Sequence, residues 1–251
     1  MPYLEGVYWD LDGTLANTEL EAHLPAFNKS FKDLDLDWYW DEKTYIDLLK
    51  INGGRNRIAY YSDIHKVNLT NDQIVDIHKR KQFNYLNLIE NGAVQLKTGV
   101  SRLINELMEK DVRQFIVTSS SRIQVNTLMD ILFKSINPFE FFIASEDVDR
   151  HKPDPLPYVK AISLSGIDKR NSIVFEDSIP GVKSSLSARL PTICVKSNIP
   201  VTFTSDIDLK IIINTLGDYQ NVTTFLKGSF PQQSYIDYKF LNKFLSEQFD
   251  Y

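Results

Sequence analysis

The chain has 251 residues, 43% of them hydrophobic and 12% aromatic, which is ample for a buried core and excludes wholesale disorder. Its 28 Lys and Arg against 33 Asp and Glu leave a net charge of −5, the opposite of the basic face that nucleic acid requires. The one cysteine, Cys194, excludes an internal disulfide, no run approaches the about 18 apolar residues of a membrane span, and no basic-then-apolar leader opens the chain, so the expected location is the cytoplasm, away from membrane.

In chain order, "GVYWDL" (6–11) reads as a buried strand that ends on two aspartates, Asp10 and Asp12, followed by Gly13 and Thr14. Residues 18–91 then read as helices: "ELEAHLPAFNKSFKDL", "DEKTYIDLLKI", "NRIAYYSDIHKV" and "NDQIVDIHKRKQFNYLNLIEN", the last capped by Thr70 or Asn71. Trp38 and Trp40 belong to the core of this block. His65 and His78 read as structural residues, and His151, beside Lys152, as solvated. From residue 92 strands and helices alternate. Apolar strands fall at 113–119, 141–147, 172–177 and 191–195, and helical spacing at 100–110, 125–136 and 157–167. Cys194 lies in the last strand as a buried, inert thiol. Residues 229–251 place Ile236, Phe240, Leu241, Phe244, Leu245 and Phe249 at helical spacing, as an amphipathic helix packed on the core or on a partner.

This alternation predicts an α/β fold: a Rossmann-like parallel sheet core with an inserted helical cap. The expected divisions are 1–17 with 92–225 for the core, 18–91 for a cap that acts as a lid over the first strand's tip, and 226–251 for a C-terminal helical extension. Right-handed crossovers would bring the strand ends to one edge, where such sheets bind ligands.

What stands at those ends is chemically coherent. Asp10 and Asp12 follow the first strand, Thr118, Ser119, Ser120 and Ser121 the second, Lys152 the third, and Glu176 and Asp177 the fourth. Asp10 and Asp177 are hard oxygen ligands suited to Mg²⁺. Hydroxyls and turn amides suit a phosphate, and a lysine suits both phosphate and a nucleophilic carboxylate. Asp10 could then attack phosphorus, with Asp12 as general acid and base. Each motif alone has a plain alternative: a turn, a helix cap, a proline-stiffened loop. Their order along the chain is what points to a site.

"DLDGTL" (10–15), a Thr or Ser at the second strand's end, "KPDP" (152–155) and "EDS" (176–178) together resemble the four motifs of the haloacid dehalogenase superfamily. The resemblance implies a Mg²⁺-dependent phosphohydrolase or phosphomutase, with Asp10, Asp12 and Lys152 catalytic and Asp10, Asp12, Glu176 and Asp177 at the metal. Asp12 speaks against dehalogenation. A helical cap after the first motif is similar to the β-phosphoglucomutase-like branch. "NTELEAHLPAFNKSF", "LDWYWDEKTYIDLLKINGGRNRI" and "TSSSR" further resemble the CbbY-like sugar-phosphate phosphatases, which are similar to enzymes acting on xylulose 1,5-bisphosphate.

That resemblance implies substrate contacts from Glu19, His23, Gly53, Gly54 and Arg55, with Arg57 nearby, and from Thr118, Ser119, Ser120 and Arg122. The second motif's register stays open between Thr118 and Ser119, with Ser119 favoured by analogy. Without the resemblance, His23 reads as a packed or surface histidine and Arg55 and Arg57 as solvated loop charges. Asn17 stands where relatives commonly have Asp, and 200–210 offers no obvious catalytic group. The expected activity is hydrolysis of a small sugar phosphate through an aspartyl-phosphate by a monomer or weak dimer. A β-phosphoglucomutase-type phosphomutase and a non-catalytic sugar-phosphate-binding or scaffold protein are the alternatives.

Overall fold

A computed structural model of the chain describes residues 3–51, 53–134, 136–204, 207–228 and 234–249. They fall into two compact units, one drawn from Met1–Asn17 and Gln95–Tyr251 and the other from Thr18–Val94. Of the expected C-terminal extension, 229–233 and 250–251 lie outside the described residues, as do 205–206 of the polar loop at 200–210.

The core unit is built on strands β1 (Gly6–Trp9), β2 (Arg113–Val117), β3 (Phe141–Ile143), β4 (Ser172–Glu176), β5 (Thr192–Val195), β6 (Ile211–Ile213) and β7 (Phe225–Lys227) in one seven-stranded sheet. The spatial order is β3-β2-β1-β4-β5-β6-β7, parallel throughout except for β7. Val7, Tyr8 and Trp9 are fully buried, which explains why β1 reads as an unbroken apolar run rather than an alternating one. β6 and β7 add to the five strands legible in the sequence. Each is only three residues long, too short to establish a period, and β7 closes the sheet with an antiparallel pairing that shifts register at Ile212/Ile213.

The chain runs outward from β1 to β2 and β3, then returns to lay β4 on the other side of β1. The reversal point lies between β1 and β4, where the loops leaving two neighbouring strands diverge and open a crevice. The core's helices are α5 (Val100–Glu109), α6 (Arg122–Leu132), α7 (Leu156–Ser165), α8 (Ile179–Ser187) and α9 (Tyr238–Phe249). α6 begins and ends some three residues earlier than the apolar spacing suggested, because Ser121 starts it by pairing with Gln124. α9 packs on α5 and β4 through Phe240, Leu241, Phe244 and Leu245. Tyr238 N–H donates to Glu106 Oε1 at 2.9 Å, and Asn242 Oδ1 accepts from Leu4 N–H at 2.9 Å.

The second unit holds α1 (Leu24–Asp33), α2 (Glu42–Leu48), α3 (Gly54–Ile64) and α4 (Asn71–Glu90). One π-helical turn, Glu19–His23, precedes α1 where the sequence suggested a single continuous helix. Thr70 caps α4: its hydroxyl accepts from Gln73 N–H at 3.3 Å and its own N–H donates to Gln73 Oε1 at 2.8 Å. The core of the unit is aromatic, with Phe27, Phe31, Trp40 and Tyr45 fully buried and Trp38 half-buried beside them. Burial of each such side chain contributes about 1.5–3 kcal/mol.

His78 on α4 is half-buried, and its pKa is lowered to about 4 by burial, with Lys81, Arg55, His23 and Arg57 adding positive charge around it. The unfolded chain protonates near 6.5 and the folded chain near 4. The contribution of His78 to stability is therefore constant above pH 6.5 and falls as pH drops from 6.5 to 4, because only the unfolded state gains the proton. Between pH 7 and pH 5 this group costs about 2 kcal/mol at most, the half-exposed edge of the ring reducing it. The change in urea-unfolding stability from pH 7 to pH 5 is expected to be less unfavourable in His78→Gln than in the wild type, by up to that amount.

Candidate active site

β1 and its two neighbours share one register: Trp9 lies opposite Ile116 on one side and Phe175 on the other. The next residues along each strand are therefore level, and they are Asp10, Val117 and Glu176. Backbone pairing continues one step past β1, with Asp10 N–H donating to Phe175 O at 2.9 Å. Lys152 reaches all three strands. Its Nζ donates to Asp10 Oδ1 at 2.7 Å, to Val117 O at 2.7 Å and to Glu176 Oε1 at 2.6 Å, using every hydrogen of the ammonium.

Asp177 completes the group. One carboxylate oxygen from each of Asp10, Glu176 and Asp177 lies within 4.8 Å of the others, and all three residues are buried. Gly13 fits tightly beneath: at φ +89° it holds a conformation unfavourable for a side chain, and a Cβ there would lie 2.0 Å from Asp177 Oδ2. Lys97 Nζ braces the same turn, donating to Gly13 O and, at 3.0 Å, to Lys196 O.

Three buried carboxylates crowd around Lys152, and Asp10 and Asp177 show the consequence. Burial, reinforced by Glu176 and Asp177 and opposed by Lys152, holds Asp10 well above the usual carboxylate range. Burial and then Glu176 push Asp177 up to about 7. Burial alone would depress Lys152, but Asp10 and Glu176 raise it above the ordinary lysine value, so it stays charged. An all-oxygen donor set with surplus buried negative charge fits a hard divalent cation such as Mg²⁺. Bound there, the cation would reverse the upward push on Asp10 and Asp177.

The other residues singled out in the sequence divide between the units. In the core, Asp12 is half-buried and Ser120 Oγ donates to its Oδ2. Thr118 is buried, with its hydroxyl accepting from Ser120 N–H at 3.0 Å, whereas Ser119 is exposed beyond the tip of β2. Arg122 forms an ion pair. Its Nη2 donates to Asp147 at 2.6 and 2.7 Å, and the guanidinium lies 4.8 Å over the Phe142 ring.

Within the helical unit, Tyr45 Oη donates to Glu19 Oε2. His23 is packed rather than exposed: Nδ1 lies 2.5 Å from Lys81 Nζ and the ring stacks on Tyr85 at 4.3 Å. Gly53 takes φ +86° ahead of α3, Gly54 opens that helix, and Arg55 is exposed. Arg57 Nε donates to Ile51 O at 2.9 Å. Two groups at the site went unread in the sequence: Lys97 and Tyr158. Tyr158 had a faint signal, six residues after Lys152 on the buried face of a helix. Lys97 had none.

A family model described as haloacid dehalogenase-like hydrolase matches residues 7–195, the span from β1 to β5 that contains Asp10, Lys152, Glu176 and Asp177. The chain belongs to the haloacid dehalogenase-like hydrolases. It is a phosphatase of this family. Protein CbbY from Rhodobacter capsulatus is 34% identical over 196 residues, covering 77% of this chain and 86% of that one. A CBBY-like protein from Arabidopsis thaliana is 28% identical, covering 96% and 74%. Among solved structures, a CbbY variant from Rhodobacter sphaeroides in complex with xylulose-(1,5)bisphosphate has a TM-score of 0.76 at 28% identity, covering 84% of this chain and 94% of that chain. A β-phosphoglucomutase from Clostridium difficile shares the fold, with a TM-score of 0.71 at 16% identity. Among the described residues, no helix of this haloacid dehalogenase-like chain is long and apolar enough to cross a membrane.

Proposed function

We propose that this phosphatase hydrolyses a small sugar phosphate, with xylulose 1,5-bisphosphate the favoured substrate, in a Mg²⁺-dependent reaction through an aspartyl-phosphate. The observation that carries the reading is Lys152 bridging Asp10 and Glu176 beside Asp177 at the sheet's reversal point. The choice of substrate is supported by the likeness to CbbY, one form of which has been solved with xylulose-(1,5)bisphosphate.

Asp10 attacks phosphorus, and the bond from phosphorus to the sugar oxygen breaks while Asp12 gives that oxygen a proton. Water then attacks the same phosphorus, Asp12 takes up its proton, and the Asp10–phosphorus bond breaks to release phosphate. Lys152 holds Asp10 in place and offsets charge during both steps. Ser119 and the amides of the turn after β2 bind the phosphate oxygens. Asp10, Asp12, Glu176 and Asp177 would hold Mg²⁺, which would supply neutralisation of the phosphate charge. Arg55, Glu19 and His23 bind the rest of the substrate, the guanidinium of Arg55 suiting a second phosphate.

Phosphate release with Mg²⁺ from a panel of sugar mono- and bisphosphates tests this. Turnover of xylulose 1,5-bisphosphate well above any monophosphate is the expected result. Release from monophosphates alone would remove the bisphosphate assignment. Isomerised sugar phosphate without free phosphate would make the protein a mutase.

A further inference from the structure

We infer that Tyr158 is a positioning residue of this site, setting the Glu176 carboxylate and through it Lys152; the inference rests on the phosphatase reading above. Tyr158 lies in the first turn of α7 and is fully buried. Its hydroxyl donates to Glu176 Oε1 at 2.6 Å, the same oxygen that accepts from Lys152 Nζ at 2.6 Å.

The two oxygens of Glu176 are therefore held unequally. Oε1 takes two short hydrogen bonds, one from a charged donor. Among the described residues, Oε2 meets only Asp177 N–H at 3.3 Å and Ser178 Oγ at 3.5 Å. The tightly held oxygen faces the lysine, and the loosely held one remains for a divalent cation. A Cβ on Gly181, in the first turn of α8, would lie 1.9 Å from Oε2 and 2.2 Å from Oε1, so α8 packs closely against the whole carboxylate.

Without the tyrosine hydroxyl, Oε1 keeps a single donor and the carboxylate gains freedom to rotate about its last bond. That rotation redirects Lys152, whose three hydrogens are committed to Glu176, Asp10 and Val117, and so loosens Asp10. Tyr158 touches none of the reacting atoms. It acts by fixing which oxygen of Glu176 faces which cation, a role that outer residues commonly fill around metal-binding carboxylates.

Tyr158→Phe removes the hydroxyl and keeps the ring, and the full-length variant is compared with wild type in two ways. The substrate selected from the panel should show kcat lowered about 10-fold with KM within twofold. Mn²⁺ titrated without substrate and followed by electron paramagnetic resonance should bind about 10-fold more weakly. Tyr158→Leu should reproduce both effects and add a loss of thermal stability. The inference is overturned if Phe matches wild type within twofold in kcat and Mn²⁺ affinity while only Leu loses stability, for then the ring serves packing alone. A rise in KM with kcat unchanged also overturns it. Should the wild type release phosphate from no sugar phosphate, the functional reading fails, yet the Mn²⁺ comparison still decides the role of Tyr158.

Discussion

Asp10→Asn is expected to lower phosphate release by at least about 10³-fold while leaving the protein as stable as the wild type, or more so. An amide oxygen cannot form the acyl-phosphate, so the first step is lost rather than slowed. The effect on stability has the opposite sign. Asp10 is one of three buried carboxylates, and burial together with Glu176 and Asp177 disfavours its charge. The amide keeps an oxygen for Lys152 Nζ and removes a carboxylate whose charge this buried setting disfavours. Thermal unfolding without metal should show an unchanged or raised midpoint, and a phosphate assay should show near-complete loss. A scaffold protein would show neither the activity nor its loss. An activity that survives the substitution would remove Asp10 from the role of nucleophile.

Lys152→Met is expected to damage both activity and stability. It removes the ammonium that joins β1, β2 and β4 and leaves Asp10, Glu176 and Asp177 buried without it. Breaking a buried ion pair from one side costs about 3–5 kcal/mol. In a chain of this size that is a fall of roughly 10 °C in the unfolding midpoint. The surplus negative charge also predicts a rescue. Mg²⁺ should raise the midpoint of the variant more than that of the wild type, because it replaces part of the lost charge. Equal Mg²⁺ effects on the two proteins would count against the cation sitting among these carboxylates.

The core elements were legible for a physical reason. Strands buried on both faces must be apolar throughout, so "GVYW", "QFIV" and "IVFE" stand out, and the polar residues that end them are conspicuous by contrast. Asp10, Glu176 and Asp177 could be picked out in this way, and Lys152 from the "HKPDP" segment that follows β3. The four helices of the inserted unit were legible from their spacing, and the cap of α4 from Thr70 and Gln73. Short or irregular pieces were not. β6 and β7 are below the length at which a period shows, and the π-helical turn at Glu19–His23 carries the same residue types as an α-helical one.

Arg122 shows the limit at a single side chain. The sequence places it beside Ser119, Ser120 and Ser121, but a guanidinium goes to the nearest carboxylate that geometry offers, and the fold supplies Asp147 from the turn after β3. Tyr158 shows the same limit from the other direction. Nothing in its neighbourhood along the chain identifies Glu176, 18 residues away, as the acceptor of its hydroxyl.

The sequence by itself determined the α/β class, the inserted helices and the identities of the residues at the strand ends, because local periodicity and burial are written in consecutive residues. Only the tertiary structure decided which strands are neighbours, that Asp10, Val117 and Glu176 stand level, and that one lysine 142 residues from Asp10 in the chain joins them. Those contacts follow from sheet order and register, which arise from packing among distant segments and leave no trace in any short stretch of sequence.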